Sequence, residues 1–181
     1  RSVIVLGVHV DDILMSYNDG TFLEATMKSF KSEWDITDLG EPAFLLGMRI
    51  RRNTSQGSIK IDQEEYIKET LRMFNMGDCK PSNIPHLVNI HLTKEMSPST
   101  PAEVSDMQDT KVLYGELIGR LLWIARITRP DIAHSVGVLC RFISNPGRRH
   151  WNSAKLVLRY LSGTTSFGIT YARDTAGSTP F

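Results

Sequence analysis

Val8-His9-Val10-Asp11-Asp12-Ile13-Leu14 decides how the rest of this chain is read. Two adjacent carboxylates stand between short β-prone runs, Val3-Ile4-Val5-Leu6 before them and Ile13-Leu14-Met15 after. Aliphatic and β-branched runs of this kind favour strands, so the stretch predicts a hairpin with acids at its tight turn. Such strands bury much of their surface, and placing neighbouring carboxylates there costs stability unless cations compensate. Magnesium fits that need, because it takes hard oxygen ligands and keeps positions open for substrate phosphates. Two such ions can activate a hydroxyl and neutralise a leaving pyrophosphate, the two-metal route to phosphoryl transfer. Successive strand residues point to opposite faces, so Asp11 and Asp12 need not contribute equally. A solvated turn carries the same dipeptide, and only the surroundings choose between the two.

Downstream of the acids, Leu23, Met27, Phe30 and Trp34 recur at helical spacing and read as a core-facing stripe, with Thr21 as the expected N-cap. Residues 43–52 and 58–62 flank Asn53-Thr54-Ser55-Gln56-Gly57 and predict a second hairpin. Residues 63–75 predict a short amphipathic helix on Tyr66, Ile67, Leu71 and Phe74. Between residues 80 and 109 stand Pro81, Pro85, Pro98 and Pro101 among many Ser and Thr, with no sustained period. That composition predicts a linker or surface loop. Three helices are expected next, over 110–127, 130–144 and 149–162. Thr128 and Asp131 stand at capping-box spacing, Asn145-Pro146-Gly147 ends the second helix and Gly163 stops the third. Residues 167–171 suit a last strand. The layout is an α+β half followed by a helical half, without internal repeats.

At 181 residues, 41% hydrophobic and 23% charged, the chain allows one large domain or two small ones and excludes wholesale disorder or a fibrous repeat. No apolar run approaches the ~20 residues of a membrane-spanning helix, so no membrane partner is expected. Two cysteines, Cys79 and Cys140, point to an intracellular, reducing home rather than a secreted disulfide framework. No initiator methionine is present, and the apolar run 3–8 is too short for a signal peptide. The chain reads as cut from something longer. Its formal charge of +1 hides an asymmetry: residues 1–110 hold 11 Lys+Arg against 17 Asp+Glu, and residues 111–163 hold 9 against 2. An acidic half joined to a basic half suits holding cations in one place and phosphates in another, although basic helices also merely solvate a face.

Gly115, Gly119 and Trp123 are spaced four apart and share one face of the first of the three helices. Two glycines leave a flat strip that a duplex backbone can approach, Trp123 offers a stacking surface, and Arg120 and Arg126 lie near enough to reach phosphates. Close helix–helix packing uses small residues in the same way. Cys79, His86 and His91 fit no common zinc spacing. Cys140 reads as a small buried hydrophobe, His150-Trp151 as a structural contact, and Arg148-Arg149 as either a phosphate grip or a solvated helix start.

The acid-bearing stretch resembles the catalytic hairpin of reverse transcriptases, and further blocks resemble the copia type of LTR retrotransposon Pol polyprotein. They are Asp38-Leu39-Gly40-Glu41 with Phe44-Leu45-Leu46-Gly47-Met48, Ile61-Asp62-Gln63 through Tyr66, and Cys79-Lys80-Pro81. Later come Leu117-Ile118-Gly119-Arg120-Leu121-Leu122-Trp123, Thr128-Arg129-Pro130-Asp131-Ile132-Ala133, Asn145-Pro146 with His150-Trp151, and Leu158-Arg159-Tyr160-Leu161-Ser162-Gly163-Thr164. The blocks keep family order over nearly the whole chain. The resemblance implies a partial palm over 1–80, a connector over 81–109, a helical thumb-like subdomain over 110–165, and a strand and tail over 166–181.

It also implies that Asp11 and Asp12 are the catalytic, metal-binding pair, holding two Mg2+ ions, with Mn2+ as the substitute. Nucleic-acid contacts then fall to His9, to Gly47 and Met48 of a primer-grip-like hairpin, and to Gly119, Arg120, Trp123 and Arg126 of a thumb-like helix. The implied partners are an RNA or DNA template–primer, deoxynucleoside triphosphates, an integrase upstream and a ribonuclease H downstream. The implied location is a cytoplasmic virus-like particle or the nucleus. His9 stands where the family usually has Tyr; imidazole keeps an aromatic plane and a hydrogen-bond donor. The family's third metal carboxylate and its fingers lie before position 1, so these residues alone are expected to be a poor polymerase or none. Two rival readings are a non-catalytic nucleic-acid-binding relic and a receiver-like domain with an acidic pocket. The receiver needs alternating strands and helices around a parallel sheet, which the hairpins argue against.

Overall fold

The computed structural model describes residues 1–86 and 91–173. The chain divides into two compact units, Arg1–Ala43 and Phe44–Phe181. Both mix antiparallel strands with helices. The first unit is a hairpin and one helix. Strands β1 (Ile4–His9) and β2 (Asp12–Tyr17) pair antiparallel from Ile4 opposite Tyr17 to His9 opposite Asp12. Only Val10 and Asp11 remain for the bend, and Val10 takes φ +50°, a conformation β-branched residues rarely adopt.

Helix α1 (Gly20–Glu33) starts two residues earlier than Thr21 would have set it. Asp19 is the N-cap, its side chain accepting from the Phe22 N–H at 3.2 Å. Ser2 donates to the same carboxylate at 2.6 Å and does most to hold it below the usual range. The stripe Leu23, Met27, Phe30 and Trp34 is not a closed core: no residue of α1 is buried, and Trp34 packs edge-to-face on Phe30 at 5.3 Å. A hairpin of two six-residue strands and one helix have too little apolar surface to enclose anything.

The second unit begins with a four-stranded antiparallel sheet in the order β3 (Phe44–Leu45), β4 (Met48–Asn53), β5 (Ser58–Asp62), β6 (Gly168–Ala172). The first stretch expected to be strand, 43–52, is interrupted at Leu46-Gly47, both at positive φ (50° and 75°), the geometry of a tight hairpin turn. Asn53 closes the next turn, its Oδ1 accepting from Ser55 Oγ at 2.7 Å and the Gln56 N–H at 3.1 Å. The last strand returns from far along the chain to place Gly168 opposite Asp62. A Cβ at Gly168 would stand 2.2 Å from the Ile61 carbonyl oxygen, so only glycine permits this approach.

Four helices form the core of this unit: α2 (Glu64–Met73), α3 (Pro101–Ile127), α4 (Ala133–Cys140) and α5 (Arg148–Gly163). Ile67 and Leu71 of α2, Tyr114, Leu117, Ile118, Leu121 and Ile124 of α3, Val136 and Leu139 of α4, and Ala154, Val157, Leu158 and Leu161 of α5 are buried together. Helix α3 starts inside the stretch read as a connector. Thr100 accepts from the Glu103 N–H at 3.3 Å, Glu103 Oε2 accepts from the Thr100 N–H at 3.1 Å, and Pro101 sits where its missing donor costs nothing. Backbone donors of Ser99 and Thr100 hold the Glu103 carboxyl down at about 2.

The expected second helix is shorter than its pattern. Pro130–Ile132 forms a 3-10 turn before α4. Thr128 and Asp131 do not form a capping box: the Thr128 hydroxyl donates to Gln63 Oε1 at 2.7 Å, and Asp131 accepts from Arg129. The described part of residues 81–100 is stitched to α5 rather than loose. Ser82 N–H donates to the Arg159 carbonyl at 3.0 Å, and a Cβ on Gly147 would meet the Met96 carbonyl oxygen at 1.9 Å. Among the described residues, no helix is long and apolar enough to cross a membrane.

Candidate catalytic hairpin and nucleic-acid interface

Asp11 lies in the bend and Asp12 opens β2, and both are exposed. His9 pairs with Asp12 in the ladder, so the imidazole and that carboxylate leave the same face. Among the described residues, neither acid takes part in an ion pair. Two unpaired carboxylates at one bend suit an oxygen-seeking divalent ion in donor chemistry. No group of three or more His, Cys, Asp or Glu is gathered among the described residues, so the pair supplies part of a ligand set.

Gly47 and Met48 lie at the β3–β4 bend, Met48 opposite Leu45. With φ +75° at Gly47, a side chain there would be strained even though nothing lies within 4 Å of where its Cβ would stand. Gly115 and Gly119 of α3 open onto free space, with no atom from elsewhere within 4 Å of a Cβ. Helix packing therefore does not account for them. Mid-helix glycine costs roughly 1 kcal/mol against alanine, so half-buried Gly115 and exposed Gly119 weaken α3 with no gain in contacts.

Leu122 and Arg126 are exposed beside this strip and Trp123 is half-buried. Arg120 is not part of it. Its guanidinium pairs with Glu116 at 3.5 Å and lies over the Tyr66 ring of α2 at 5.5 Å from the centroid. A position on the helix does not fix the direction of a long side chain. Cys79 and His86 have other neighbours: the Cys79 thiol reaches Ser162 Oγ at 3.4 Å, and the His86 ring meets that of His134 edge-on at 6.0 Å.

Sequence reasoning passed over two ion clusters that organise the second unit. Arg129, 1% exposed, donates from Nε and Nη2 to Asp131 and from Nη1 and Nη2 to the carbonyl and hydroxyl of Thr164. Its plane lies over Tyr160 and Phe167 at 5.3 and 5.4 Å, and the Tyr160 hydroxyl donates to Asp131 at 2.8 Å. Asp62, fully buried, is held by Arg49 and Arg51, and Arg49 also pairs with Glu64. Lys68 first and Arg49 next pull the Glu64 carboxyl down to about 2. The signal was in the sequence as charges inside apolar blocks, which need partners when buried.

Residues 1–88 match the family model described as Reverse transcriptase (RNA-dependent DNA polymerase). Over 165 residues, 91% of its length, the chain is 40% identical to the Retrovirus-related Pol polyprotein from transposon TNT 1-94 of Nicotiana tabacum, covering 12% of that protein. It is 32% identical over 173 residues to the Pol polyprotein from transposon RE1 of Arabidopsis thaliana and 31% over 169 residues to that from RE2. Each alignment spans 93% of the chain and 11% of the relative. The chain thus covers about an eighth or less of these curated relatives, and no solved structure matches it. The class that these matches define is the reverse transcriptase. Within that class, the chain is a fragment of a retrotransposon reverse transcriptase, from the Pol polyprotein.

Proposed function

We propose that this segment supplies the metal-binding aspartates and part of the template–primer grip of an RNA-directed DNA polymerase. Asp11 and Asp12 would hold divalent magnesium, which supplies charge neutralisation for phosphoryl transfer when bound. The β3–β4 bend at Gly47 and Met48 and the strip of Gly119, Trp123 and Arg126 would hold the primer strand and the duplex, with His9 beside the acids. In this reading residues 1–80 belong to a palm and residues 110–165 to a thumb, and the remaining Pol domains are partners inside the cell. One observation carries the reading: a β-branched residue at positive φ holds two exposed carboxylates that no described cation neutralises.

In a Pol polyprotein containing this segment, primer extension with magnesium should fall about a thousandfold on Asp11→Asn, a loss of several kcal/mol of transition-state stabilisation. Undiminished extension by that variant would rule the assignment out. Steeply salt-dependent duplex binding with no extension in any Pol context would favour the relic instead.

A further inference from the structure

From Ile132 to Arg173 the chain carries six cations, Arg141, Arg148, Arg149, Lys155, Arg159 and Arg173, and no Asp or Glu. Four of the six lie on α5. Arg148, Lys155 and Arg159 follow at i, i+7 and i+11, so they fall on one face, with Asn152 between them and Arg149 to the side. Lys155 stands about 10 Å along the axis from Arg148, and Arg159 about 6 Å further.

The placement works against the helix itself. Arg148 and Arg149 occupy the first turn, where the backbone dipole is already positive, and no acid stands there to balance them. Stability does not explain such an arrangement, and rule-breaking positions of this kind mark function. Their present partners leave donors free: Arg148 meets Asp106 at 2.8 Å with both side chains mostly exposed, a pair of little net worth. Arg159 gives Nε to the Lys80 carbonyl at 2.7 Å, and Lys155 lies 5.7 Å above the Trp151 ring. Cations interleaved with an aromatic ring on one helix face are the footprint of a nucleic-acid backbone.

We propose that the outward face of α5 is a second phosphate-binding surface for nucleic acid, separate from the glycine strip of α3. It rests on the reading of this chain as a holder of template–primer. Two features favour a polyphosphate over an acidic polypeptide. The cations are spaced along one line, and the long acid-free stretch presents nothing that would pair with the basic residues of a mixed-charge protein surface.

The test is filter binding of the 181-residue chain to a short RNA–DNA hybrid across a potassium chloride series. The plot of log affinity against log salt should become shallower by about 2 in the double variant Arg148→Gln, Lys155→Gln, since each lost phosphate contact removes about 0.9. Unchanged thermal unfolding should accompany that loss, and Lys155→Arg should keep the wild-type slope. An unchanged slope in the double variant, with binding still weakened by Gly119→Ala, overturns the α5 surface alone. Absence of any salt-dependent binding overturns the reading beneath it as well. Polyglutamate bound as tightly as the hybrid, through the same two residues, would make the surface a protein-docking site and overturn the nucleic-acid assignment.

Discussion

Arg129 illustrates how a single side chain can close a fold. It ties the end of α3 to Thr164 beyond α5, with Asp131 and Tyr160 completing the set. Lysine lacks the planar fork that makes these contacts at once. Arg129→Lys should therefore lower stability by about 3 kcal/mol, the usual scale for breaking a buried ionic network, read as denaturant midpoint at constant slope. His150 makes a pH-dependent claim. Its Nδ1 accepts from the Gly147 N–H at 2.9 Å, its Nε2–H donates to the Thr93 carbonyl at 3.1 Å, and its ring stacks on Phe142 at 4.0 Å. Burial holds the imidazole below its ordinary value, so the folded protein keeps it neutral. The unfolded chain binds that proton first as pH drops below about 6.5, and stability should then fall by up to about 1.4 kcal/mol per pH unit. Thermal unfolding between about pH 8 and pH 5 should show this slope in the wild type and lose it in His150→Gln.

At the scale of elements, α3 presents two unlike sides. Its inner face is packed by Leu117, Ile118, Leu121 and Ile124, all fully buried, and its outer face keeps two glycines that touch nothing. Gly119→Ala should raise the midpoint of thermal unfolding, worth roughly 0.5–1 kcal/mol, because alanine is the better helix former. The same change should weaken duplex binding about tenfold, or 1.4 kcal/mol, by holding the backbone away from the strip. Stabilisation without loss of binding would separate the glycines from the duplex. Elements that rest on neighbouring residues were legible in the sequence: the bend at Asp11, the glycine turn at Gly57 and the end of α5 near Gly163. The start of α3 was not, since prolines and serines mask a capping box formed by Thr100 and Glu103. Nor was the direction of Arg120: its pair with Glu116 follows from i,i+4 spacing, but the Tyr66 ring beneath its guanidinium lies across a packing surface that spacing cannot foresee.

For the whole molecule, burial is unevenly shared. Residues 1–43 contain no buried side chain, whereas α3 and α5 hold most of the core. Amide exchange should accordingly be fast through β1, β2 and α1 and slow by several orders of magnitude at Leu117–Ile124. Equal protection in the two units would contradict this distribution. Long-range pairing was the least legible feature. Nothing near residue 168 announces a partner at residue 62, because a five-residue strand carries its register only through the neighbour it finds. That pairing has a mechanical corollary. Everything from Gln63 to Phe167 leaves the sheet at Asp62 and rejoins it at the facing residue, Gly168, so the helices hang from two stems side by side. A load on the bundle thus enters the sheet where β5 and β6 are paired, at the two stems and the Arg49–Glu64 pair beside them, rather than at a free strand end.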